Sequence, residues 1–417
     1  MKAYGNTNNT LSPRAHNFIV DIKGELRDLT MVPGDNSIVI NPTDSKAWGI
    51  DPFYKIKQTD SESEIYKVMS TVAISLIPPY EGSNSFFSDQ AREMLKGCFT
   101  YYFKYKQGCD TFTKVLRETL SRPIGETVAE ILQVATKGGP AFVSVVDFAE
   151  ISQSTDGEKP RYEATETVTN IYMNFKAKCA MLLADEDIAN CLDRKDKAFT
   201  PEMLLERDVY FCIPKDKVGQ YSQLCYMTLN QIFMWILSLE ESSKVRMMGR
   251  ERLPIGIVFD EVVAVMSSAG GKLSVLIDVL RLARSVGCMV VLCVQSTSGL
   301  RCVYKDDEVD DILSNCAFRV YLDATTTSTQ KQISESAGTY KERKGTYSVT
   351  DGRQSNSLTF EDRPIVEQSD LITLGGSDEA IMISTRTGYC RMKKVPYYKE
   401  PFYRRIFDFI QNKKLGI

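Results

Sequence analysis

An apolar run, Ile255–Phe259, ends in two adjacent carboxylates, Asp260 and Glu261. A helix-period segment, LSVLIDVLRLARSVG, follows and carries Arg281 and Arg284. A second apolar run, CMVVLCV, then ends at Gln295. In a parallel sheet, buried strands read as apolar runs, and ligands bind at their carboxyl ends. An aspartate placed there can hold Mg²⁺ directly or through water, and a glutamate beside it can polarise an attacking water. This is the form of a Walker B element. The competing reading is a core strand meeting a solvated acidic turn. The second strand with its terminal glutamine, and the arginine-bearing helix between the strands, favour the catalytic reading.

The elements that must position these groups are bounded by the composition. A chain of 417 residues, 43% hydrophobic and 25% charged, is of ordinary globular type and long enough for two or three domains. A net charge of −3 gives no global pull toward nucleic acid or an anionic membrane, so any DNA contact must come from local basic loops. The single histidine, His16, argues against a His-based metal site or a Ser-His triad. Eleven cysteines without a C-x-x-C pair lack zinc spacing. Cys212, Cys225, Cys288 and Cys293 lie in apolar runs and read as small core residues of a reducing compartment. No signal peptide is visible, and no apolar run reaches the ~18 residues of a membrane span, which predicts a cytoplasmic chain as written.

Along the chain, residues 1–16 read as polar and irregular. Short strands are expected at Phe18–Val20 and Ser37–Ile40, an ordered loop at WGIDPF, and a helix over 61–77 closed by Pro78 and Pro79. From Phe86 to Asp196 amphipathic helical runs dominate, with a flexible polar joint at Ser152–Pro160. The α/β texture returns at Asp208 with the strand VYFCIP and a long helix, then the opening stretch, a helix in DEVDDILSNC and a strand in FRVYLDA. This alternation predicts a parallel sheet with right-handed crossovers. Residues 339–365 are expected to form a mobile loop or hairpin. Two short strands, AIMIS and YCRMKK, turn at Thr387-Gly388, and the basic, aromatic C-terminal tail reads as a solvated surface before it reads as a DNA site. The organisation expected is a first core part over 1–85, an inserted all-α domain over 86–196, and the rest of the core over 197–417.

In this order the motifs resemble the coupling proteins of type IV secretion and conjugation, the TraG/TraD-like family. IVDIKGEL is similar to that family's strand followed by Asp-Pro-Lys-Gly-Glu-Leu, with Ile22 in place of the proline. INPTDSKAWGIDPF resembles its Asn-Pro and Trp-Asn-Pro-Phe elements, with Asp51 where asparagine is common. FFSDQAREMLKG, VYFCIPKDKVGQYSQLCYMTLNQIF, VFDEVVAV, LARSVG, VVLCVQSTSGL, ILSNCAFRVYL, TSTQKQISESAGTY, EDRPIVEQSDLITL and ISTRTGYCRMKKVPYY follow in family order. The resemblance implies a RecA-like P-loop NTPase-type core with an inserted all-α domain, working with ATP and Mg²⁺. It implies a homo-hexameric motor at the cytoplasmic face of the cell membrane. Such a motor moves single-stranded DNA, with a relaxase or relaxosome, or effector proteins toward a secretion channel. By motif position Asp260 would be the Mg²⁺ aspartate, Glu261 the catalytic glutamate and Gln295 a γ-phosphate sensor. Arg284 would be a finger reaching a neighbouring subunit's nucleotide, with Arg281 its competitor.

One part of the pattern is missing. No G-x-x-x-x-G-K-[ST] occurs, so no phosphate-cradling loop is visible. GNTNNT has no lysine and too few glycines. Gly271-Lys272 lacks the upstream glycine and the Ser/Thr, and follows the acidic pair. The expectations are a truncated chain foremost, then a split motor whose loop lies in another polypeptide, then a degenerate subunit. A non-hydrolysing, substrate-recruiting scaffold and a related soluble DNA-pumping ATPase are the functional alternatives.

Overall fold

The computed structural model describes residues 4–7, 10–13, 15–57, 59–79, 85–149, 151–153, 162–242, 245, 252–268, 272–273, 275–350 and 353–415. The chain divides into two compact units, Met1–Gln295 and Ser296–Ile417.

In the first unit, β1 (Tyr4–Thr7) and β2 (Thr10–Pro13) form an antiparallel ribbon where the polar sequence suggested irregular chain. Pairing with a neighbour outweighs the weak local strand preference of Gly, Asn and Ser here. Then come β3 (His16–Ile22), β4 (Ile38–Ile40), β5 (Gly49–Ile50), β6 (Ile151–Gln153), β7 (Tyr162–Ala164), β8 (Ala198–Phe199), β9 (Val209–Ile213), β10 (Ile255–Phe259) and β11 (Cys288–Leu292). Five of these form one sheet in the order β11-β10-β3-β9-β4. Every pairing is parallel. All residues of β3, β9 and β10 are buried, as expected of central parallel strands covered on both faces.

The pairing of β10 with β3 needs a glycine. A Cβ at Gly256 would lie 2.2 Å from Oδ1 of Asn17. Asn17 cannot swing away, because its backbone N and Nδ2 both donate to Oδ1 of Asp208, at 2.8 and 3.0 Å.

One sheet face packs against a long apolar helix, Val218–Leu237, whose buried residues include Leu224, Cys225, Ile232 and Phe233. Two buried amides tie this helix to the elements around it. Asn230 Nδ2 donates to Ser75 Oγ of the helix Glu62–Leu76, and Gln231 Nε2 donates to the Pro52 carbonyl. The described residues between 85 and 193 form helices joined by short loops, with the short β6–β7 ribbon among them. The joint expected at Ser152–Pro160 lies mostly outside the described residues. Phe53 of the WGIDPF loop is fully buried and meets Phe99, Phe103 and Phe112 of these helices edge-on, at 6.4, 5.4 and 5.7 Å between ring centroids. That loop is therefore the anchor of the helical region, and its order comes from aromatic burial.

The second unit holds β12 (Phe318–Tyr321), β13 (Thr339–Thr350), β14 (Arg353–Pro364), β15 (Glu379–Ser384) and β16 (Gly388–Lys393). β12, β15 and β16 form an antiparallel sheet, and β13 and β14 a long antiparallel hairpin. The parallel sheet expected through FRVYLDA is thus corrected. β12 pairs antiparallel with β15, and its alternating exposure suits a sheet with one face wet. Ile333, Val366, Leu371, Leu374, Ile381 and Ile383 build the core of this unit. The C-terminal tail is a helix, Pro401–Leu415, with Ile410 buried.

Candidate hydrolytic site at the carboxyl end of the sheet

β10 carries Asp260 and Glu261 to the carboxyl edge of the sheet. The Asp260 N–H donates to the Val20 carbonyl at 3.1 Å, extending the register with β3 by one residue. On the other side, the Cys293 N–H donates to the Phe259 carbonyl at 3.0 Å and the Val262 N–H to the Cys293 carbonyl at 3.4 Å. The chain beyond β11 is thereby held beside the acidic pair. Gln295, two residues on, donates from Nε2 to the Glu261 carboxylate. Helix Val262–Ser268 begins directly after Glu261. Three of the four residues singled out in the sequence therefore lie together at the carboxyl edge of the sheet.

Arg284 does not join them. It lies exposed in the turn after helix Val275–Leu282, just before β11 starts. This places it at the amino end of β11, whereas Gln295 lies past the carboxyl end. Five strand residues at ~3.4 Å each put about 17 Å between the two ends. Arg281 sits on the same helix, 3.9 Å from Asp278.

A fifth residue, Asp21, was visible in the sequence only as the polar end of a strand. It is fully buried, next to Asp260 across the β3–β10 pairing. Its Oδ1 accepts the Gly24 N–H at 3.1 Å and its Oδ2 the Arg27 N–H at 2.7 Å. Burial raises its carboxyl above the ordinary range, against the lowering effect of these N–H groups. Burial also raises Asp260. Asp21, Glu25 and Glu261 push the same way, and Lys23 opposes them. The signal for Asp21 was its position, the first carboxylate after an apolar run, the same logic that picked out Asp260.

Asp260 offers hard oxygen donors and is only partly buried. That donor chemistry fits Mg²⁺, which takes one or two carboxylates and completes its shell with water and phosphate oxygens. Asp21 is committed to backbone N–H groups. Among the described residues no cluster of three or more His, Cys, Asp or Glu could enclose a metal by itself. A phosphate cradle is a different matter, since the sequence contains no P-loop, and Gly271 lies outside the described residues.

The comparisons with known proteins fit this geometry. The family model for type IV secretory system conjugative DNA transfer matches residues 8–414. The chain belongs to this family. Protein VirD4 of Agrobacterium fabrum is 20% identical over 402 residues, covering 93% of this chain and 56% of its own length. The chain thus spans little more than half of that relative. Among solved structures, the conjugative coupling protein TrwBΔN70 matches with a TM-score of 0.67 at 16% identity, over 91% of this chain and 78% of that one. TrwB in complex with ADP and Mg²⁺ matches with a TM-score of 0.65, also at 16% identity, over 91% and 78%. At these identities the structural likeness establishes the fold, a RecA-like α/β core with a parallel sheet. No helix among the described residues is long and apolar enough to cross a membrane.

Proposed function

We propose that this chain is the hydrolysis side of a coupling-protein ATPase in conjugative DNA transfer and type IV secretion. It would act in a homo-hexamer that moves single-stranded DNA with its relaxase or relaxosome, or effector proteins, to the secretion channel. The reading draws on the nucleotide and Mg²⁺ bound in TrwB. The observation that carries it is the contact of Gln295 with Glu261, on neighbouring strand ends beside Asp260. A solvated acidic turn has no need of a glutamine aimed at one carboxylate from the next strand.

In this reading Asp260 would hold Mg²⁺, which when bound offsets charge on the nucleotide's phosphates. Glu261 orients the attacking water and takes its proton. Gln295 fixes the Glu261 carboxylate and senses the terminal phosphate. Arg284 acts on the site of a neighbouring subunit. The phosphate-cradling half is supplied from outside these 417 residues.

The test is to join the chain to a family phosphate-binding half and measure turnover. We expect hydrolysis in the joined protein and none above background in the chain alone. Glu261→Gln should lower turnover by ~10²–10⁴ while ATP still binds. Unchanged turnover in that variant would remove Glu261 from the mechanism. A second reading, a substrate-recruiting scaffold, draws on the apolar side chains exposed on the helices of 85–193, among them Phe86, Val134, Val143 and Met173. It predicts that Glu261→Gln leaves substrate transfer intact.

A further inference from the structure

The turn that closes β3 is strained at Lys23. Its φ is 113°, in the region that glycine adopts freely and an L side chain does not, and it is the only non-glycine residue with positive φ among the described residues. The surroundings enforce this conformation from both sides. The Lys23 N–H donates to the carbonyl of Ile213 at the end of β9, at 3.2 Å. The buried Asp21 carboxylate then draws the Gly24 and Arg27 N–H groups back over the strand end. A glycine at 23 would make the same turn without strain, and Gly24 beside it already has φ 80°. A residue held this way at a strand end next to a candidate site is where stored strain is expected to serve function.

The side chain that costs this strain is an exposed cation. It lies at the same carboxyl edge as Asp260, and its charge acts on Asp260 against those of Asp21, Glu25 and Glu261. Four carboxylates at one edge repel a polyphosphate, so an approaching phosphate needs a cation there. We propose that Lys23 is a positioning residue whose ammonium group receives the terminal phosphate of a nucleoside triphosphate at the Asp260–Glu261 end of the sheet. This rests on the nucleotide reading above. It adds that this chain itself carries a contact for the third phosphate, and that the strained turn exists to present it.

The test uses the full chain joined to the phosphate-binding half, as above, and three variants of it, Lys23→Gly, Lys23→Ala and Lys23→Arg, with millimolar Mg·ATPγS and Mg·ADP as probes in calorimetric titrations, and with thermal melts. Wild type should prefer the triphosphate. Lys23→Gly and Lys23→Ala should each lose that preference at least fivefold, and Lys23→Arg should keep part of it. Lys23→Gly should melt above Lys23→Ala, because both lose the charge and only alanine keeps the strain. A glycine variant that is more stable than the alanine variant and yet loses the triphosphate preference is an outcome no purely structural role produces. If the glycine and alanine variants keep the preference, the inference about Lys23 falls and the nucleotide reading stands. If wild type binds neither nucleotide, both fall. Equal melting of the two variants would remove the strain argument and overturn the proposal.

Discussion

Asp260 illustrates how a single residue can be set against the stability of its own fold. Its carboxyl is raised above the ordinary 3.8 by burial first, then by Asp21, Glu25 and Glu261. Between the unfolded and the native values, the folded chain keeps a proton that the unfolded chain has shed. Stability therefore falls as pH rises through that window, and the penalty persists at neutral pH. Asp260→Asn should relieve it. Solvent around the partly exposed carboxyl screens most of the repulsion, so the gain at pH 7 should be only about 0.5 kcal/mol. Urea unfolding at pH 7 and near pH 3.5 measures this, and the advantage of the variant should shrink toward zero at the lower pH. In the protein joined to the phosphate-binding half, the same variant should lose Mg²⁺-dependent nucleotide binding. A variant less stable than wild type at pH 7 would mean that Asp260 makes a favourable contact that its raised carboxyl conceals.

At the scale of elements, the site depends on how tightly β10 lies against β3. Gly256→Ala would drive a methyl group into Asn17, which Asp208 holds in place. The strands must then spread, at about 1–3 kcal/mol. Denaturant melts should show that loss, and titrations of the joined protein should show weaker nucleotide binding, because the spread moves Asp260 relative to Asp21. A variant as stable as wild type would show that Asn17 yields without cost.

This pairing also marks what the sequence could disclose. IGIVFDE and CMVVLCVQ were legible because central parallel strands are apolar runs with polar ends, so the placement of Asp260, Glu261 and Gln295 beyond those strand ends could be read off directly. The helix Glu62–Leu76 was legible from its spacing. The turn at Lys23 was not, since a forced φ depends on a buried acceptor and on a neighbouring strand's carbonyl, and neither is encoded in local residue type. The β1–β2 ribbon was missed because polar residues carry little strand signal until a partner supplies the hydrogen bonds. The antiparallel turn of β12 escaped because strand direction is set by contacts with β15, far along the chain.

At the scale of the whole molecule, the position of Arg284 is the decisive constraint. It lies at the amino end of β11, a strand length from the Glu261–Gln295 contact, so it cannot serve the site of its own chain. β11 is also the outer strand of its sheet, with Met289 51% exposed, unlike the fully buried β10 beside it. An apolar parallel strand left open along one edge is suited to receive another strand. Joining the phosphate-binding half should slow amide exchange across Cys288–Leu292, and unchanged exchange would place that half elsewhere. In the joined protein, Arg284→Ala should lower turnover by ~10³ or more without weakening nucleotide binding, if the arginine is a finger. The arrangement in trans makes a stronger claim. Glu261→Gln subunits keep Arg284, and Arg284→Ala subunits keep Glu261, so mixing the two inactive proteins should restore part of the turnover at interfaces where each supplies what the other lacks. Arg281→Ala, on the helix before the turn that holds Arg284, should behave as wild type in both assays. If the mixture stays as inactive as its components while wild-type subunits mixed in the same way remain active, Arg284 does not act across a subunit interface, and the roles drawn for the two ends of β11 must be separated.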